Sequence, residues 1–197
     1  MRKKLTLAAI LLLALIASPS TAAQGALDAL KGAIGALTGN KGQTAIDAGT
    51  WKYTGPGISF KSDNALKNLG GAAAGTAIEA KIKPYYDKLG LQNMTFEVAQ
   101  DSTFTMKVKK LTLKGTIVYG ESGQCTLQMQ ALGKIPAGKY HAQWQQLGSS
   151  LVLTFDVSRL VSLIQTIASV SGQSSLKSVS EILKSYDGIY AGFRFKK

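Results

Sequence analysis

Apolar and polar residues alternate with a period of two for roughly 65 residues after Gly90, the signature of strands with one dry and one wet face. Met94, Phe96 and Val98 alternate with Thr95 and Glu97, and Phe104, Met106 and Val108 alternate with Thr105, Lys107 and Lys109. A turn at Asp101-Ser102 joins these two strands as a hairpin. The same period continues through Leu111, Leu113, Ile117 and Tyr119, through Cys125, Leu127 and Met129, through Tyr140, Ala142 and Trp144, and through Leu151, Leu153 and Phe155. Gly120 to Gly123 and Leu147-Gly148-Ser149 mark turns between them, and such short connections favour antiparallel neighbours.

Before this meander, Trp51 and Tyr53 alternate with Lys52 and Thr54, and Ile58 and Phe60 follow Gly55-Pro56-Gly57; we read two short strands meeting at a Gly-Pro-Gly turn. The period then changes. Leu66, Leu69, Ala73, Ile78, Ile82, Tyr85 and Leu89 recur at helical steps, with Ser62, Asp63 or Asn64 as a cap, Gly70-Gly71 as a break, Pro84 as a kink and Gly90 as a left-handed stop. A second helical interval runs from Ser158 to about Tyr186. It carries one stripe of Leu160, Leu163, Ile164, Ile167 and Ala168, a break at Gly172, and a second stripe of Leu176, Val179, Ile182 and Leu183. Gly188 ends it, and Ile189, Ala191, Phe193 and Phe195 alternate into a last strand. The expected fold is mainly β with helical insertions. It is an antiparallel up-and-down barrel of eight or nine strands, with a helix after the second strand and a helical hairpin before the last.

The first 23 residues change where this domain is expected to work. Arg2, Lys3 and Lys4 precede the apolar run Leu5 to Ala17 and a small-residue tail ending Thr21-Ala22-Ala23, the pattern of a cleavable secretory signal. No cysteine follows the run, so the product is expected to be periplasmic or secreted without a lipid anchor. Residues 24–45 form a Gly/Ala-rich leader, and the barrel domain is assigned to 46–197. Removing residues 1–23 leaves 174 of the 197, enough for one domain with a substantial core, and lowers the net charge from +12 to +9. That charge suits an anionic envelope surface or simple solubility. Nucleic acid is not an expected partner, because only Arg159 and Arg194 remain as arginines and lysine lacks their planar fork. Cys125 is the only cysteine, which excludes an internal disulfide, and its apolar phase marks it as a buried thiol and not a nucleophile.

Gly49-Thr50-Trp51 at the start of the first strand resembles the Gly-x-Trp signature of lipocalins, where the indole plugs one end of the barrel. A basic side chain near the last strand commonly packs on that indole, which implies Trp51 and Arg194 as a barrel-closing pair. The longer string Gly49-Thr50-Trp51-Lys52-Tyr53, then Gly55-Pro56, Phe60, Ser62-Asp63-Asn64 and Gly70-Gly71, is similar to a family of secreted lipocalin-like proteins of unknown function from Gram-negative gut bacteria. The resemblance implies a fold and an extracytoplasmic address, and brings no assigned reaction.

Catalytic chemistry finds little to use. The sole histidine, His141, falls on the polar phase of its strand, and no serine or aspartate is singled out as its partner. One His and one Cys cannot supply a nitrogen or sulfur metal site, and Glu97, Asp101, Glu121 and Asp156 have no calcium or two-metal spacing. Neither Gly70-Gly71 nor Gly55-Pro56-Gly57 has the spacing of a phosphate loop. We therefore expect a monomeric non-enzyme without metal or cofactor. Its inward aromatics and methionines, Tyr53, Phe60, Phe96, Phe104, Met106, Tyr119, Met129 and Trp144, either line a site for a small hydrophobic ligand or fill a solid core. The alternative is a cell-envelope interaction protein acting through the leader or the basic face of Lys107, Lys109, Lys110 and Lys114. An integral outer-membrane barrel is not expected, since the outward phase carries lysines, glutamines and threonines.

Overall fold

The computed structural model describes residues 43–62, 72–131, 137–171 and 176–197. The expected signal over 1–23, and residues 24–42 of the expected leader, lie outside the described residues, as do the helix positions Leu66 and Leu69 and the Gly70-Gly71 break.

Eight antiparallel strands close into a barrel in simple chain order. They are β1 (Gly49–Phe60), β2 (Thr95–Val98), β3 (Thr103–Val108), β4 (Leu111–Tyr119), β5 (Gln124–Met129), β6 (Gly138–Leu147), β7 (Ser150–Asp156) and β8 (Ile189–Lys196). Helix α1 (Ala72–Leu89) follows β1, and α2 (Val157–Ser171) and α3 (Leu176–Lys184) separate β7 from β8. The β2–β3 and β4–β5 turns each hold a non-glycine residue at positive φ, Ser102 at 63° and Ser122 at 54°. Gly90 ends α1 in the left-handed region at φ 78°, as its position after Leu89 predicts.

The structure corrects the opening segment. Gly49–Phe60 is one strand, not two strands around a Gly-Pro-Gly turn, so the barrel has eight strands and the helix follows the first. The register against β8 runs Tyr53 opposite Phe195, then Gly55 opposite Arg194, leaving Thr54 as an extra residue in a bulge. Pro56 fits the strand because β2 pairs only with Gly49 to Lys52. Beyond that point one edge of β1 has no strand partner. Ile58, two residues on, sends its N–H to Glu79 on α1 at 3.2 Å, so the missing N–H of Pro56 faces the same strandless edge. Helix α1 lies against this seam, its buried stripe of Ile78, Ile82, Tyr86 and Leu89 directed into the core.

One continuous core results. β8 contributes Phe193 and Phe195, β7 Leu153 and Phe155, and α2 Leu160, Leu163, Ile164 and Ile167. No helix among the described residues is long and apolar enough to cross a membrane.

Candidate functional site

Alternation places the eight residues considered for ligand binding on the inner face, and the structure shows them as packing. Tyr53, Phe96, Phe104, Met106, Met129 and Trp144 are buried, while Phe60 and Tyr119 are half-buried against the core. Phe96 packs on Phe104 at 5.6 Å between ring centroids, and Tyr119 on Trp144 at 5.8 Å. Met106 stands opposite Phe96 in the β2–β3 register, and Met129 opposite Gly115. Phe60 sits apart, beside Gly75 at the helical end. Phe193 joins the rings, touching Tyr53, Tyr86, Phe155 and Phe195 at 5.8–6.4 Å. These are ordinary stacking distances, so the rings occupy the middle of the lumen.

Tyr53 and Tyr86 bring hydroxyls into this interior, and neither finds a hydrogen-bond partner among the described residues. Burial pushes both phenols above their ordinary pKa, with the nearby Glu79 carboxylate adding to the shift.

At the end opposite the helices, Trp51 is fully buried and its Nε1 donates to the Asp47 carbonyl at 3.0 Å. Gln146 ties Asp47 in place, accepting from its N–H at 2.9 Å and donating to its carboxylate at 2.6 Å. The cation over the indole is Lys197, 5.2 Å from the ring, and its ammonium also donates to the Ala48 carbonyl at 2.6 Å. The expected pairing of Trp51 with Arg194 is therefore corrected. Phe193 and Phe195 point inward, so Arg194 between them faces out. Gly55 opposite it carries no side chain, and the guanidinium Nη2 instead reaches Glu79 on α1 at 2.6 Å.

This Arg194–Glu79 pair, each side chain less than one-fifth exposed, clasps β8 to α1 across the β1 seam. Burial raises the Glu79 pKa more than Arg194 and the Ile58 N–H lower it. A carboxyl with a raised folded-state pKa favours the fold when protonated and loses that contribution as pH rises through the folded value. Arg194→Met is expected to cost about 3 kcal/mol at neutral pH, because it leaves a largely buried carboxylate with one backbone donor. The deficit shrinks on acidification as Glu79 takes up a proton, which urea unfolding across the acid range measures; a loss independent of pH would reduce the clasp to packing.

Cys125 is buried, and burial pushes its thiol up to about 12, far from a nucleophile. His141 is exposed, its Nδ1 3.0 Å from the Thr126 hydroxyl. Among the described residues no three His, Cys, Asp or Glu side chains gather as a metal site. The Lys197 cap and the Glu79 clasp are absent from the sequence reading.

Two polar concavities are present, about 480 Å³ beside His141 with Tyr119 in its lining and about 300 Å³ beside Ser59 with Phe60 and Trp144 in its lining. Among curated proteins nothing matches this chain. It is similar to a DUF4847 family protein from Bacteroides vulgatus known from a crystal structure, at 13% identity over 76% of this chain and 92% of that one, with a TM-score of 0.37. The model of the lipocalin-like domain DUF4923 matches residues 25–197, the whole described barrel with its helices, and the chain belongs to that family.

Proposed function

We propose that this is a non-catalytic extracytoplasmic protein whose barrel lumen is a structural core and whose working surface is the basic face of the β3–β4 hairpin, directed at anionic envelope surfaces. The filled lumen carries this reading. Five phenyl and phenol rings meet at Phe193, and Phe96, Phe104, Tyr119 and Trp144 fill the remaining width. Function then falls to the exterior, and the hairpin concentrates charge there. Lys107 is paired with Glu97 at 2.9 Å, whereas Lys109, Lys110 and Lys114 are exposed and have no ion pair among the described residues. The basic, apolar and small-residue order of residues 1–23 supports the extracytoplasmic address.

Vesicle co-sedimentation tests it. The mature chain is expected to bind phosphatidylglycerol-containing vesicles at low salt and to dissociate as salt shortens the reach of the field, while phosphatidylcholine vesicles do not bind. Neutralising Lys109, Lys110 and Lys114 together with glutamine is expected to weaken binding about a hundredfold, from about 1 kcal/mol per surface lysine. Equal binding to both vesicle types would overturn the reading.

A second reading, a carrier of a small hydrophobic ligand, draws on the unpartnered Tyr53 and Tyr86 hydroxyls beneath α1. It requires α1 to leave the seam. Saturable uptake of N-phenyl-1-naphthylamine, with loss of Tyr86 protection from solvent, would support it; the filled lumen predicts no uptake.

A further inference from the structure

Register places three rows of outward side chains side by side across β5 to β8 and β1. The middle row runs Gln124, Gln143, Thr154, Gly192, Gly57, each opposite the next. On one side lie Thr126 and His141, paired across β5 and β6, and Asp156, Tyr190 and Ser59, paired across β7, β8 and β1. On the other lie Gln145, Val152, Arg194 and Gly55. The middle row has no side chains at Gly192 and Gly57, and Val152 leans over Gly57, its Cγ1 3.0 Å from where a Cβ would stand. The absence of a side chain at Gly192 lets Ser59 on β1 meet Thr154 on β7 over the intervening strand, with the hydroxyls 2.7 Å apart. Both polar concavities open on this face and share Gln124, Gln143 and Tyr190, making one trough. Each volume lies within the roughly 300–1,000 Å³ of small-molecule sites.

The chemistry of the lining selects the ligand. Gln124, Gln143, Gln145, Thr126 and Ser59 are uncharged, and each can both donate and accept hydrogen bonds. The titratable groups of the lining other than Tyr119, Cys125 and Tyr190 are Lys61, Asp156, Arg159 and His141. Lys61 pairs with Asp156 at 2.9 Å and lies over the Tyr190 ring at 5.2 Å, and its hydrogen bond holds the Asp156 carboxyl below the usual range. Arg159 stands at one end of the trough. Lys139 on β6 and Lys196 on β8 are exposed on these strands without an ion pair among the described residues, but neither lines the trough. Hydroxyl-rich ligands match this lining: each sugar hydroxyl also donates and accepts, and neutral amides lose less hydration than lysines when a ligand covers them. The geometry points to a binding trough for a neutral oligosaccharide on the outer face of β5–β8, distinct from the basic hairpin.

Amide-resolved NMR titration of the mature chain tests this, using maltohexaose, cellohexaose and mannohexaose separately up to about 10 mM, ten times a millimolar dissociation constant. The expected result is a saturable shift for at least one sugar, centred on the amides of Gln143, Thr154 and Tyr190. Gln124→Ala combined with Gln143→Ala should weaken that binding at least about tenfold, the loss of roughly two hydrogen bonds, while the thermal unfolding midpoint is kept. Tyr190→Ala provides a second variant with the same expected loss. Absence of a saturable shift with all three sugars overturns the inference, as does a shift undiminished in both variants. Vesicle binding is read in parallel on the same variants, and its retention separates failure of the trough from failure of the basic face.

Discussion

Trp51→Ala is expected to unfold the domain or leave it about 3–5 kcal/mol less stable, the range for removing a fully buried large aromatic side chain. The indole is 0% exposed, and four separate features converge on it. It stands opposite Phe96 across the β1–β2 register, donates to the Asp47 carbonyl, is covered by the Lys197 ammonium, and closes the end where Gln146 anchors Asp47. Truncation opens a cavity at this barrel end, and it leaves the Asp47 carbonyl without its indole donor. Trp51→Phe keeps most of the volume and loses the hydrogen bond, so a smaller loss of about 1–2 kcal/mol is expected from that variant. Lys197→Met separates the cation from its aliphatic stem and should cost less again, about 0.5–1 kcal/mol. Guanidinium unfolding monitored by circular dichroism ranks the three. A Trp51→Ala protein as stable as the parent would show that the indole is not the closure of this barrel.

The periodicities that carry the fold are legible because each belongs to a surface with one wet and one dry side. From Thr95 to Asp156 inward residues alternate with mostly polar ones, Val118 and Val152 being the apolar outward exceptions, and the hairpins follow in chain order. Gly49 to Phe60 is misread because its outward face is not solvated in the usual way. Its second edge meets a helix, not a strand, so a proline is tolerated, and its outward position 57 is a glycine where Val152 and the Phe193 backbone come close. Local sequence then looks like a turn, and only the long-range neighbours make it a strand. The Trp51 cation is misassigned for a related reason. Arg194 and Lys197 are both near the last strand, and choosing between them requires knowing that Phe193 and Phe195 fix Arg194 on the outer face. Of the candidate site, the inward set is legible from phase alone, whereas its dense ring contacts depend on Tyr86 and Phe193 meeting from a helix and a strand about a hundred residues apart. The trough is least legible, since a row of Gln, Thr and Gly is ordinary strand exterior until the register aligns five strands.

Gly192→Ala is expected to be as damaging as a core truncation, although the residue carries no side chain and faces outward. A Cβ at this position would fall on the Leu153 carbonyl oxygen and lie 2.8 Å from the Thr154 Cα, both backbone atoms of the adjoining strand. Neither can swing aside as a flexible side chain does, so β7 and β8 must part where Leu153 pairs with Phe193 and Thr154 with Gly192. Those two strands hold Phe155 and Phe193 in contact at 6.2 Å, and separating them loosens the ring that touches four others. Overpacking of a rigid site costs about 3 kcal/mol or more, at the upper end of the range for added methyl groups. Gly55→Ala is the control: the same outward phase of the same barrel, but nothing lies within 4 Å of its added Cβ, and its φ is not in the left-handed region. That substitution should leave stability within about 0.5 kcal/mol, or raise it slightly by restricting the unfolded chain. Paired thermal melts decide the matter. Equal melting of Gly192→Ala and the parent would mean that β7 and β8 have room to separate, and the floor of the trough would then be set by something other than backbone approach.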